Sequence, residues 1–406
     1  MRILQKISYL LISLIGLTQA KTGVDCGLDG VIKNDFVEFS GKNVGLVCNH
    51  TSLDQSGNHI IDLFFEKANL KVVFAPEHGL RGDEAAGGHI NDGIDDRTGV
   101  PIVSLYGKTR KPTPEMLRNL DVLVYDIQDV GVRFYTYIST MAYCMEAAAE
   151  NNIPFVVLDR PNPVRGDMVE GGILEKGFNS FVGMHEVPVR YGLTAGEYAQ
   201  LINGEGYLRD GIRVQLSVVK MKGWQRHHWY DETGLTWVAP SPNIPNLETA
   251  IVYPGMCLLE GTNLSEGRGT ETPFLLFGAP WLDSQKICSL MDNTKGVAFT
   301  CTTFTPREIK GKATNPKFRD EPCQGILMKV TDRNDYRPVE TTVLLLQKIA
   351  EIHPKEFQWN EPWIDKLSGN SDLRKSIDEK NVKQLLSLWR LANERFIDMA
   401  QKYFLY

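Results

Sequence analysis

The sequence has no run of five or more basic residues, and its formal net charge is −6. Nucleic acids and anionic membranes are gripped by basic stripes, so neither suits this chain as a partner. Nucleotide signatures are missing as well. The first apolar run, "VGLVCN" at 44–49, leads into "HTSLDQSG" and not into the G-x-G-x-x-G that cradles a pyrophosphate. No G-x-x-x-x-G-K-[ST] loop and no G-x-S-x-G elbow occur, which argues against P-loop enzymes and lipase-type hydrolases. His78, His89, His227 and His228 lack H-E-x-x-H spacing, so no catalytic metal is expected. Cysteine is sparse: seven in 406 residues, in no zinc pattern and no dense disulfide framework. The odd number leaves at least one thiol unpaired in a monomer, and the spacing fixes no pairing.

The N-terminus has its own composition. In "MRILQKISYLLISLIGLTQA", Arg2 and Lys6 precede an apolar run from Ile7 to Leu17, which ends in Thr18-Gln19-Ala20. Those are the three regions of a secretory signal peptide, and the run is short for a membrane span. Residues 1–20 are therefore expected to be removed on export to the periplasm or the exterior.

From residue 44 to about 220, apolar runs alternate with helical patterns. Runs end near Asn49, Pro76, Gly107, Gln128 and Pro161, and helices are expected at 59–69, 112–120, 136–152 and 194–206. Continuous apolar strands between helices indicate a mostly parallel sheet covered on both faces. The fold class expected is α/β: a Rossmann-like, doubly wound domain over 21–240, followed by a smaller α+β domain over 241–406. Residues 236–281 show little periodicity. The helix expected over 382–404 has one apolar stripe, which reads as packing onto its own domain.

Open parallel sheets bind ligands outside the carboxyl ends of their strands. Each predicted end here is polar. Asn49 and Thr51 follow the first strand, as caps or as ligand contacts. Glu77, His78 and Arg81 follow the second, Asp126 and Asp129 the fourth, and Arg160 and Asn162 the fifth. Several carboxylates with arginines and tyrosines suit glycoside hydrolysis, in which a protonated carboxyl feeds the leaving oxygen and polar groups stabilise an oxocarbenium-like centre.

Seven longer motifs narrow this. "APEHGLRGDEAAG", "TGVPIVSLYGKTRKPTPEML", "VYDIQDVGVRFYTYISTM", "DRPNPVRGDMVEGGIL", "SFVGMHEVPVRYGLTAGEYA", "APSPNIPNLETAIVYPG" and "EGTNLSEGRGTETPFLLFGAPW" run in order from about 44 to 282. In them the chain resembles the NamZ-type exo-β-N-acetylmuramidases, glycoside hydrolase family 171, long carried as a domain of unknown function. The resemblance implies a Rossmann-like domain, a smaller C-terminal domain and an active site in the cleft between them. It implies release of N-acetylmuramic acid from the non-reducing end of peptidoglycan oligosaccharides or muropeptides. It implies a glutamate-centred apparatus, with no nucleotide cofactor, in which Glu77 matches the family's glutamate.

Other roles follow from chemistry. Glu77 is the expected general acid, and Asp126 or Asp129 the second carboxylate, with Asp126 nearer the strand end. Arg81, Arg133 or Arg160 would pair with the lactyl carboxylate of muramic acid. Asn162 and Asn243 would bind hydroxyls or the acetamido group, with His78, Tyr135 and Tyr137 in the same matched motifs. The loop carrying Glu266 and Arg268 would close the cleft. The rival reading is a non-catalytic binding protein for cell-wall fragments; an amidase or esterase would need a nucleophile or metal signature the sequence does not offer.

Overall fold

The structure, a computed structural model, describes residues 23–77, 80 and 92–406. The expected signal segment, His78 and Arg81 lie outside the described residues.

The first lobe is built on one sheet with strands β1 (Asn43–Cys48), β2 (Asn69–Ala75), β3 (Gly93–Ile94), β4 (Pro101–Ser104), β5 (Val122–Asp126), β6 (Phe155–Leu158) and β7 (Leu216–Val219). Their order is β3-β4-β2-β1-β5-β6-β7, parallel throughout except for the two-residue β3. β5 is buried along its whole length and β1 at all but its first residue, as strands covered on both faces must be. Around the sheet stand α1 (Gly27–Lys33), α2 (Ile60–Lys67), α3 (Pro114–Leu117), α4 (Tyr137–Glu150) and α5 (Ala195–Gly204). α3 begins with Pro114 behind the cap of Thr113, and α5 opens with a Thr194–Glu197 capping box.

The second lobe holds α6 (Leu247–Met256), β8 (Leu276–Ala279), α7 (Ser284–Met291), β9 (Val297–Phe304) and β10 (Cys323–Val330). It continues through α8 (Pro338–Ile352), α9 (Glu361–Ser368), α10 (Asp372–Asp378) and α11 (Val382–Ala400). Its sheet is antiparallel in the order β8-β10-β9. The α/β class and the α+β second lobe match the sequence expectation.

Several elements escaped the sequence patterns, α6 and β7 among them. α6 lies in the stretch read as irregular, because burial on nearly every side erases an amphipathic stripe. Pro254 sits inside it, and a Cβ on Gly255 would come within 2.0 Å of the Pro338 carbonyl. Only glycine lets α6 and α8 approach so closely. β7 extends the sheet beyond β6 with a four-residue strand that is only partly buried.

One apolar cluster joins the sheet face under α4 and α5 (Phe74, Tyr125, Met141, Tyr198) to the second lobe (Tyr253, Phe277, Leu346, Trp389). The opposite face, with Leu28, Leu46 and Phe64, forms a separate cluster. The lobes thus share a core. Polar ties reinforce the junction. Arg133, 1% exposed, donates to the Gly172, Val187 and Leu367 carbonyls at 2.7, 2.6 and 2.9 Å. The chain's last residues return to the first lobe: the Tyr406 hydroxyl donates to Asp159 and the Leu405 N–H to Glu197. Among the described residues no helix is long and apolar enough to cross a membrane.

Candidate active site

Pro76 stops β2 by withholding an N–H from the ladder, and Glu77 follows it to the edge of a cleft of about 460 Å³ between the lobes. The Thr136 hydroxyl, at the N-cap position of α4, donates to Glu77 Oε2. Tyr106, just past β4, lies beside it. Burial first, then the Glu77 charge and a hydrogen bond with Glu77, push the Tyr106 phenol above its ordinary value. Two hydroxyl-bearing side chains from neighbouring elements therefore position one carboxyl at the mouth of the sheet.

Tyr135 lines the same cleft, edge-on to Tyr137 and Tyr253 with centroids 4.9 and 6.0 Å away. Asn243 enters from the strap between the lobes, its amide donating to the Lys312 carbonyl at 2.8 Å. From the second lobe come Glu260 and Arg268, paired at 2.9 Å, with the guanidinium 5.1 Å from the Phe274 ring centroid. Burial pulls Arg268 down, but the Glu260 and Glu266 charges more than offset this and hold it above its ordinary value. Trp363 on α9 supplies a flat apolar wall.

The cleft thus gathers Glu77, Tyr135, Asn243 and Arg268 of the expected residues. The other described candidates, Asn49, Asp126, Asp129, Arg133, Tyr137, Arg160, Asn162 and Glu266, are not part of its lining. Asp126 is fully buried and forked onto Arg160, with Nη2 to Oδ2 at 2.8 Å and a second bond from Nε to Oδ1. Arg160 also donates to the Leu53 carbonyl, so both partners of this pair are occupied with each other and with backbone. Arg133 is held by the three carbonyls described above. Asn49 accepts from the N–H and hydroxyl of Thr51, closing a local turn. Asn162 bridges Leu193 and Val164. The Tyr137 hydroxyl donates to the Pro240 carbonyl at 2.6 Å. Glu266, 4% exposed, backs the cleft wall through Arg268 and Lys317 at 3.5 and 3.2 Å.

Asp129 is also sequestered. Oδ2 accepts from the Gly131 N–H and the Tyr191 hydroxyl, yet burial outweighs both and pushes the carboxyl up to about 6 from 3.8. A raised folded-state pKa means the native protein holds this proton more tightly than the unfolded chain. The contribution is favourable at low pH and is lost as pH climbs from about 4 to about 6. Asp129→Asn, which cannot ionise, is expected to gain in melting midpoint over the parent as pH rises through that window. Parallel melting curves at pH 4, 5, 6 and 7 measure this, and a pH-independent difference would contradict it.

Sequence reasoning missed Tyr106 as a partner of Glu77, and it missed Arg110, Phe181, Glu260, Trp363 and Lys366 on the cleft wall. Tyr106 was within reach, since it closes a predicted strand. The rest come from loops and second-lobe helices that carry no local signal.

A Rossmann-like lobe, a smaller α+β lobe and a strand-end glutamate facing the cleft between them define a class of two-lobed α/β proteins. Comparison with known proteins specifies the family. Residues 44–248 match the N-terminal model of exo-β-N-acetylmuramidase NamZ, and residues 251–406 its C-terminal model. The chain belongs to that family. It is 42% identical to the peptidoglycan β-N-acetylmuramidase NamZ of Bacillus subtilis (strain 168), across 96% of this chain and 93% of the relative. Two crystal structures of DUF1343 family proteins from Bacteroides fragilis NCTC 9343 superpose on it. One has a TM-score of 0.86 at 38% identity and the other 0.77 at 32%, each spanning 94% of this chain and 99% of its own.

Proposed function

We propose that the protein is an exo-acting glycoside hydrolase that releases N-acetylmuramic acid from the non-reducing end of peptidoglycan fragments. The observation that carries this reading is the pairing of family membership over residues 44–248 and 251–406 with Glu77 at the cleft mouth. In its acid form Glu77 would give a proton to the glycosidic oxygen, with the Thr136 and Tyr106 hydroxyls keeping the carboxyl aimed. Among the described residues the other carboxylate on the cleft wall is Glu260, which comes from the second lobe. Its charge, anchored by Arg268, would stabilise the developing oxocarbenium ion. Tyr135 and Trp363 would offer apolar faces to the sugar, and Asn243 a polar contact.

The N-terminal sequence supports a place for this activity: residues 1–20 would direct export to the periplasm or the exterior, where peptidoglycan lies. The test is turnover of 4-nitrophenyl β-N-acetylmuraminide by the purified chain. Release of nitrophenol with free N-acetylmuramic acid is expected. Tight retention of muramyl fragments without turnover would make this a binding protein instead.

A further inference from the structure

The cations of the cleft fall into two groups. Arg268 is already neutralised by Glu260 and Glu266. Arg110 is different. It lies in the loop after β4, exposed, with its guanidinium 4.3 Å from the Phe181 ring centroid. Among the described residues no carboxylate lies within ion-pair reach of it. Phe181 is stacked in turn on Tyr143, 6.1 Å away at 10°, and lies 6.1 Å from Tyr106. Tyr106 is the residue that hydrogen-bonds Glu77. An aromatic shelf, Phe181 and then Tyr106, therefore links a guanidinium without a described counter-charge to the proposed acid.

We propose that Arg110 receives the lactyl carboxylate that distinguishes N-acetylmuramic acid from N-acetylglucosamine. The inference rests on the muramidase reading and names the residue that sets its specificity. A carboxylate entering a cleft that already holds Glu77 and Glu260 needs a compensating cation. A guanidinium fits best, since its planar fork binds a carboxylate bidentately and its stacking on Phe181 restricts its orientation beforehand. Lys366, exposed at the last turn of α9, has neither fork nor stack.

The experiment compares N-acetylmuramic acid with its uncharged lactyl carboxamide as competitive inhibitors of the parent and of Arg110→Met. The parent is expected to prefer the acid by about 10- to 100-fold, the range for a charge-assisted hydrogen bond, and the variant to lose that preference. Arg110→Lys should recover part of it. On the nitrophenyl muraminide, the loss in Arg110→Met should appear mainly in KM. Equal weakening of acid and amide in Arg110→Met would overturn the assignment while leaving the muramidase reading intact. Absence of muraminide turnover by the parent would overturn both.

A separate observation concerns the second lobe. Five cysteines are buried and unpaired, but Cys288 on α7 and Cys301 on β9 face one another with sulfurs 2.7 Å apart. The Cys301 thiol also reaches the Ser284 carbonyl at 3.2 Å, so it already lies against α7. β9 is an edge strand of the three-stranded sheet. We infer that Cys288 and Cys301 are a cross-linking site that fastens this edge strand to α7. The two thiols release two protons and two electrons as the S–S bond forms. A small-molecule disulfide or a thiol–disulfide oxidoreductase accepts them and becomes two thiols.

Full-length reduced protein incubated with oxidised glutathione, then alkylated and mapped by mass, tests this. A peptide linking residues 288 and 301 is expected, with a melting midpoint above that of the reduced form, and Cys301→Ser should show no such rise. Full alkylation of both thiols, or glutathione on either one in place of the link, would overturn it.

Discussion

Replacing Glu77 with glutamine is expected to leave the fold intact and to cut turnover of the nitrophenyl muraminide by about 10²–10⁴-fold. Glutamine keeps the side chain's volume, and its amide oxygen still accepts from the Thr136 hydroxyl that now meets Oε2. What it lacks is the proton. An acid matters most when the leaving group is poor, so the loss should be larger on a muramic acid–glucosamine disaccharide than on the nitrophenyl substrate. KM should change little, because the group acts on the leaving oxygen in the transition state. Equal losses on both leaving groups would point to a different role for Glu77, and near-normal rates would remove it from the mechanism.

The second large effect is on stability. Asp126→Ala is expected to cost about 3–5 kcal/mol, because it strands the Arg160 guanidinium in the interior without its counter-charge. The converse change, Arg160→Ala, should cost a similar amount for the same reason. Asp126→Leu combined with Arg160→Met, which removes both charges and keeps apolar volume, should recover much of the loss. Urea unfolding of the four proteins separates the outcomes. A double variant no better than either single one would show that the two side chains support the fold independently. The comparison also bears on catalysis: a well-folded double variant that still turns over substrate places the pair in the scaffold.

The parallel sheet was legible in the sequence because strands buried on both faces carry continuous apolar runs, as in residues 44–48 of β1, 72–75 of β2, 122–125 of β5 and all of β6. The strand-end rule also led to Glu77. It did not distinguish one strand end from another. In the structure the ends of β1 and β5 lie near the strap between the lobes: His50 meets the Ala239 carbonyl and Tyr137 the Pro240 carbonyl. Polar groups there, Asn49, Asp126 and Arg160 among them, are buried and find partners among themselves. The ends of β2 and β4 open to the cleft, which is why Glu77, Tyr106 and Arg110 share it. No local pattern announces where a strap of backbone will lie. Glu260, Arg268 and Trp363 reach the cleft only through packing of the second lobe, so their position is a property of the whole chain.

The return of the C-terminus to the first lobe has a consequence for biosynthesis. Domains ordinarily fold as units while the chain is still being made, the N-terminal one first. Here Asp159 at the end of β6 and Glu197 in α5 receive hydrogen bonds from Tyr406 and Leu405. The N–H of Met221 also donates to the Tyr406 hydroxyl. A nascent chain that has emerged only as far as α5 or β7 lacks these donors and this acceptor. The first lobe therefore cannot settle into its final hydrogen-bonded state until Leu405 and Tyr406 have left the ribosome.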